Sequence, residues 1–107
     1  MISVRVRRDG AGQLQGVRVE GHSDLAPAGE DLLCAAVSAI TQTAALGVKL
    51  YAPESLVTIR DDGYLELELP PGQGTESLQA VVETMLLGLK DLQRDFPAQL
   101  RIEEAQG

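Results

Sequence analysis

Two hairpin patterns, each followed by a long helical pattern, constrain what this 107-residue chain can fold into. Residues 2–8 and 14–21 alternate polar and apolar side chains on either side of a turn sequence, which predicts a first β-hairpin. Residues 56–69 predict a second hairpin, because Asp62-Gly63 near its centre is a strong turn signal.

Two amphipathic helices are predicted between these strands. The first runs from Glu30 to about Leu50, is rich in alanine and contains no proline. Its apolar positions recur at helical spacing, at Leu33, Val37, Ile40, Ala44 and Val48. The second helix begins at Thr75, the predicted N-cap, and ends before Pro97. Its inner face is expected to carry Leu78, Val82, Met85, Leu89 and Leu92.

A last strand is predicted at residues 100–104, so the element order is ββαββαβ. This order predicts an α+β fold, in which both amphipathic helices cover one face of an antiparallel sheet. Residues 22–29 and 70–74 are predicted loops because they lack periodicity and contain proline and glycine. A chain of this length is expected to form a single domain, residues 1–107.

The charge distribution excludes a typical binder of nucleic acid. The formal net charge is −7, whereas a protein that binds phosphates needs a basic face. Residues 1–18 carry +3, which leaves −10 on the rest of the chain. Such an acidic body suits a basic peptide partner. Arg5 and Arg7, on the outer side of the first strand, could form either a solvated strand face or a docking patch.

The cysteine and histidine counts limit the compartment and the chemistry. The chain has one cysteine, so no internal disulfide is expected and a reducing compartment is favoured. Residues 1–20 lack the apolar core of a signal peptide, and no stretch of about 18 consecutive apolar residues is present. A cytoplasmic protein without membrane contact is therefore expected. With one cysteine and one histidine, a closed zinc site is not expected.

These two residues are also the candidates for catalysis. Cys34 lies near the predicted start of the first helix, where the macrodipole favours a thiolate if Gly29 or Glu30 is the cap. His22, at the end of the second strand, could act as its base across the intervening loop. Two acids, Glu30 and Asp31, lie beside the cysteine and would oppose its ionisation, but a carboxylate could instead orient the histidine, as in a catalytic triad.

Other interpretations of these residues remain open. A lone cysteine in an alanine-rich helix is commonly a small core residue, and an exposed one can be a redox-sensing thiol. Ser38, four residues after Cys34, could line a pocket or bond back to a helix carbonyl. Neither Ser23 nor Ser38 lies in the nucleophile-elbow motif of a serine hydrolase.

The stretch GHSDLAPAGEDLLCAAVSAITQT, residues 21–43, closely resembles the signature of the bacterial ribosomal-processing cysteine proteases, the Prp family. That signature places a Gly-His pair at the end of the second strand. After a loop of about ten residues, the run Gly-x-Asp-hydrophobic-hydrophobic-Cys-Ala-Ala-Val-Ser opens a helix. Ser23 stands where the family commonly has alanine, and Leu32-Leu33 where it commonly has β-branched residues. Neither departure removes a chemical group.

The resemblance implies a cysteine endopeptidase that removes the N-terminal extension of a large-subunit ribosomal protein, the one numbered twenty-seven. It assigns Cys34 as nucleophile, His22 as general base and Asp31 as a candidate helper. It further implies a substrate-binding segment, a homodimer and no cofactor. The substrate segment would comprise Ser23, Asp24, Gly29 and Ser38, in a loop that orders when a peptide binds. The alternative is a non-catalytic ribosome-assembly protein that holds a peptide in the same cleft.

Overall fold

The computed structural model describes residues 1–21, 31–60, 63–70 and 76–106. It contains five strands and two helices in the predicted order ββαββαβ. The elements are β1 (Ile2–Arg8), β2 (Leu14–Gly21), α1 (Leu32–Tyr51), β3 (Leu56–Arg60), β4 (Tyr64–Glu68), α2 (Glu76–Asp95) and β5 (Leu100–Gln106). The α+β class and both predicted hairpins are confirmed. The predicted N-cap, Thr75, lies outside the described residues.

The sheet differs from the prediction at one pairing. Its strand order is β3-β4-β2-β1-β5, and three of its four pairings are antiparallel. The pairing of β1 with β5 is parallel, so the sheet is mixed rather than wholly antiparallel. The reason is that α2 carries the chain back to the end of the sheet where β1 begins. There the amide of Ile2 donates to the carbonyl of Gln99 at 2.8 Å, and β5 then runs alongside β1.

The two faces of the sheet have opposite character. Alternate side chains of the central strands are buried beneath the helices: Ile2, Val4, Val6, Val17, Val19, Leu65 and Leu67. The intervening side chains of β1, β2 and β4 are charged or polar and point away from the helices. Both helices therefore cover one face, as predicted. The predicted inner positions of both helices are buried, except for Ile40 and Leu92, which are partly buried against the core.

The helices α1 and α2 are antiparallel and approach each other closely at a glycine. Gly47 on α1 faces Val81, and Gly88 on α2 faces Ile40. A methyl group at Gly47 would lie 3.1 Å from Cγ1 of Val81, which is closer than ordinary packing allows. Gly47 therefore sets the distance between the helices.

Arg8 ties the far end of β1 to two other elements. Its guanidinium donates two hydrogen bonds to the carboxylate of Glu83 on α2, at 2.8 and 2.9 Å, and further bonds to Glu104 on β5. The Arg8 side chain is only 15 % exposed. Its bonds to Glu83 lower the pKa of that carboxyl and raise the pKa of Arg8.

The helix α1 is more apolar than we expected from the sequence. By length and composition alone, Leu32–Tyr51 could cross a membrane, although no such segment was predicted. The core helix of a soluble protein has the same length and composition, and α1 packs on α2 and the sheet. Part of its surface is nevertheless uncovered, because Leu46, Leu50 and Tyr51 are all more than half exposed.

Candidate active site

Cys34 lies in the first turn of α1. The helix begins at Leu32 and its N-cap is Asp31, so the expected caps, Gly29 or Glu30, were wrong. Cys34 is half-buried and packs against the hydrophobic core. Because side chains on a helix lean towards its N-terminus, the thiol points towards the positive end of the helix dipole.

Asp31 holds this end of the helix in place. Its backbone is extended, with φ −84° and ψ 98°, and its side chain is only 8 % exposed. Its Oδ1 accepts a hydrogen bond from the amide of Cys34 at 3.0 Å, while its carbonyl accepts from Ala35 at 3.1 Å. This is the geometry of an N-cap bonded to the third residue of the helix. The sequence interpretation named Asp31 as a candidate helper but missed its capping role.

Two further amides belong to the first turn of α1. In the part of the chain that the structure describes, the amides of Leu32 and Leu33 make no hydrogen bond. The first amides of a helix have no acceptor within the helix, so they are available to a carbonyl oxygen or an anion.

Gly21 ends β2 immediately before the candidate base. Its φ is +103°, which side chains other than glycine rarely adopt, and a Cβ there would collide with the carbonyl oxygen of Met1. Its amide donates to the carbonyl of Gly63 at 3.0 Å. The chain direction on leaving the sheet towards His22 is therefore set by a position that only glycine can occupy without strain. In the sequence, the Gly-His pair at residues 21 and 22 was the signal that marked this position.

The remaining predicted site residues divide into two groups. Ser38 is exposed one turn beyond Cys34, and a bond back to a helix carbonyl, one of the two alternatives for this residue, is not seen among the described residues. Thr41 makes that kind of bond instead, to the carbonyl of Val37 at 2.8 Å. The second group lies outside the described residues: His22, Ser23, Asp24 and Gly29. Within the described ranges, no cluster of three or more ligating side chains could hold a metal ion.

The open face of the sheet carries a separate groove of about 370 Å³. Its lining includes Arg5, Arg7 and Arg18 together with the glutamates of the neighbouring strands. Arg7 forms an ion pair with Glu68 on β4, and its guanidinium crosses β2 directly over Gly16. This groove lies on the side of the sheet away from α1, so it does not include Cys34.

The family of the chain follows from comparison with known proteins. The family model described as cysteine protease Prp matches residues 1–101. The chain belongs to the Prp cysteine protease family. The cysteine-protease class predicted from residues 21–43, and with it the assignment as a hydrolase, is thereby confirmed.

Relatives of the Prp family resemble the chain in both sequence and fold. The ribosomal processing cysteine protease Prp of Bacillus subtilis (strain 168) is 31 % identical, over 95 % of this chain and 96 % of its own length. The crystal structure of the essential ribosomal processing protease Prp from S. aureus, with a covalently linked product peptide, superposes with a TM-score of 0.86. It is 20 % identical and covers 98 % of this chain and 100 % of that one.

A second structure shares the Prp fold. SMU.848 from Streptococcus mutans is 25 % identical, with a TM-score of 0.80, over 100 % of this chain and 96 % of that chain. The mixed five-stranded sheet and the two helices on one face are therefore the architecture of the family.

Proposed function

We propose that this chain is a cysteine endopeptidase that removes the N-terminal extension of a large-subunit ribosomal protein, the one numbered twenty-seven. The observation that carries the proposal is the position of Cys34, half-buried in the first turn of α1 beside the amides of Leu32 and Leu33, which have no acceptor among the described residues. The B. subtilis relative is named a ribosomal processing protease, and the S. aureus structure holds a covalently linked product peptide.

In the proposed mechanism, Cys34 and His22 form a catalytic dyad that needs no cofactor. His22 takes the thiol proton, and the sulfur attacks the scissile carbonyl carbon. The negative charge that develops on the carbonyl oxygen is stabilised by helix amides, for which Leu32 and Leu33 are the candidates. The C–N bond breaks as His22 returns the proton to the leaving amine. Water then hydrolyses the thioester, which releases the acid product and restores the thiol.

The residues between the dyad partners would contact the substrate. Ser23, Asp24 and Gly29 lie in the segment that joins His22 to α1, and Ser38 is exposed one turn beyond Cys34. A loop that orders around a bound peptide would keep the dyad incomplete until substrate arrives. The net charge of −7 favours association with the basic tail of a ribosomal protein.

The same proposal includes a cytoplasmic, single-domain protomer, spanning residues 1–107, that assembles as a homodimer. Five large apolar side chains are about half exposed or more along the end of α1 and the edge strand β3: Leu46, Leu50, Tyr51, Leu56 and Ile59. Leu46, Leu50 and Tyr51 lie close together on the last turns of α1, and exposed large apolar residues of this kind are typical of protein interfaces. No charged residue occurs between Asp31 and Lys49, so two copies could pack their α1 helices together without charge repulsion, despite the net charge of each chain.

The first test is intact-mass spectrometry of the extended ribosomal protein after incubation with this protein. We expect one discrete N-terminal truncation with the parent, and none with Cys34→Ala or His22→Ala. Thr84→Ala on the exposed side of α2 is the matched control and is expected to cleave normally. If all variants bind the ribosomal protein and none, including the parent, truncates it, the chain is a binding protein and the proposed activity is wrong.

A further inference from the structure

The nucleophile's own backbone amide is already engaged in this fold. The hydrogen bond from the Cys34 amide to Oδ1 of Asp31, at 3.0 Å, lies at the end of a helix whose capping side chain is almost fully buried. A capping side chain at this position determines where the first turn begins. Asp31 therefore determines where Cys34 lies relative to the sheet and to the two preceding amides.

We propose that Asp31 is a positioning residue that acts on Cys34 through the cap, and that it restrains the thiol electrostatically rather than serving as the third member of a triad. The proposal rests on the proposed function, in which Cys34 is the nucleophile. It gives the carboxylate two separate effects. The hydrogen bond aligns the first turn for attack, and the negative charge near the sulfur slows its reaction with an electrophile.

The arrangement of charges separates these effects. Beyond Asp31, α1 carries no charged side chain until Lys49, which is about 27 Å further along the helix at 1.5 Å per residue. Among the described residues of α1 and its cap, Asp31 is therefore the charged residue nearest to Cys34 in the chain. The Asp31 carboxylate places a negative charge three residues before Cys34, at the end of the helix where the dipole is positive.

Asparagine and alanine at position 31 distinguish the hydrogen bond from the charge. Asparagine is as good an N-cap as aspartate, so Asp31→Asn retains the bond to Cys34 and removes only the charge. Asp31→Ala removes both. A triad carboxylate would behave differently, because replacing it with an amide removes the group that orients the histidine and stabilises its charged form.

The experiment combines two readouts on the full-length variants. The first is the rate of alkylation by iodoacetamide at neutral pH, followed by intact mass, which reports Cys34 alone because the chain has one cysteine. The second is kcat and KM on a peptide that spans the cleavage site. Ala80→Gly, at an exposed position of α2, is the control for helix destabilisation remote from the site.

We expect Asp31→Asn to be alkylated several-fold faster than the parent and to retain most of kcat. Asp31→Ala is expected to lose kcat by about 10-fold to 100-fold at similar KM, since small misplacements of a reacting group have costs of this order. Ala80→Gly should match the parent in both readouts. Asp31→Ser, which also caps, should retain kcat as Asp31→Asn does, and loss of kcat in both capping variants would contradict the proposal even if Asp31→Ala does not fold.

Two results would overturn the proposal. Slower alkylation of Asp31→Asn together with loss of kcat would mean that the charge acts on the histidine. An unchanged kcat in Asp31→Ala would mean that the cap does not position the nucleophile. If the parent cleaves no peptide, the proposed function fails, but the alkylation rates still measure the effect of Asp31 on the thiol.

Discussion

The guanidinium of Arg8 and the carboxylate of Glu83 are joined by two hydrogen bonds that connect the end of β1 to the middle of α2. The same guanidinium also reaches Glu104 on β5. A single side chain thus links the first hairpin, the second helix and the last strand. Charge-assisted, two-pronged bonds of this kind are among the stronger polar contacts in proteins.

This linkage predicts how stability depends on pH. The bonds lower the pKa of Glu83 in the folded protein below its ordinary value of 4.5. Their contribution to the free energy of unfolding is therefore fully present above pH 4.5. It is lost as the pH falls below 4.5 and through the lower pKa of the folded state. Glu83→Gln is expected to cost about 1 kcal/mol at pH 7, a modest figure because the Glu83 side chain is 42 % exposed. Urea unfolding at pH 7 and pH 3 measures the difference.

The matched control for this prediction is Asp91→Asn. Asp91 pairs with Arg94 on the exposed side of the same helix, where both side chains are more than 70 % exposed. That variant should have the stability of the parent at both pH values. A Glu83→Gln penalty that is the same at pH 3 as at pH 7 would show that the linked carboxylate does not stabilise the fold through its charge.

Gly21 is expected to be intolerant of any side chain. Gly21→Ala would place a methyl group against the carbonyl oxygen of Met1 at a backbone angle of φ +103°. We expect a loss of about 1–3 kcal/mol in stability, the usual cost of such strain. We also expect a loss of protease activity beyond the loss of folded protein, because the chain turns there towards His22. Thermal unfolding and kcat/KM, both on purified protein, separate the two effects.

Gly10→Ala is the control for that substitution. Gly10 lies in the turn between β1 and β2, and a Cβ there meets no atom within 4 Å. Gly10→Ala should change neither the thermal unfolding nor kcat/KM. If Gly21→Ala has the stability and kcat/KM of Gly10→Ala, the conformation at the end of β2 does not control the site.

The exposed residues of α1 predict how the proposed homodimer would be disrupted. Leu46 and Leu50 lie one turn apart and are 74 % and 73 % exposed, so the paired change to glutamate should leave the protomer folded. In the dimer it would bring like charges together across an apolar contact. We expect sedimentation velocity to show a dimer for the parent and a monomer for the double variant.

Leu87→Glu provides the comparison for the dimer variant. Leu87 is 67 % exposed but lies on α2, away from the end of α1 and β3. This variant should remain dimeric. A parent protein that sediments as a monomer at micromolar concentration would contradict the proposed assembly.

Periodicity predicted the elements well because it reflects burial directly. Residues 2–8 and 14–21 alternate because the sheet has one covered face, and the turn glycine of the second hairpin, Gly63, has the positive φ that the turn signal requires. The direction of β5 was not predictable in this way, because alternation is the same in parallel and antiparallel strands. Strand direction depends on the path that α2 takes across the sheet.

The roles of the candidate site residues stay predictions. The motif proposes roles for Cys34 and Asp31, and the start of α1 was expected one or two residues too early. Glycine, glutamate and aspartate at 29–31 are all compatible with a helix N-terminus, and only the hydrogen bond to the Cys34 amide identifies the cap. Whether His22 approaches Cys34 depends on loop conformation, which spacing does not determine.

The parallel pairing of β1 with β5 has a consequence for synthesis of the chain. Residues 2–8 leave the ribosome well before β5, their partner on one side. During translation β1 can pair with β2 but must keep its other edge open, and open strand edges invite aggregation. This edge of the sheet can therefore close only after α2 and β5 have been synthesised. Folding should be limited by this long-range contact rather than by the two hairpins.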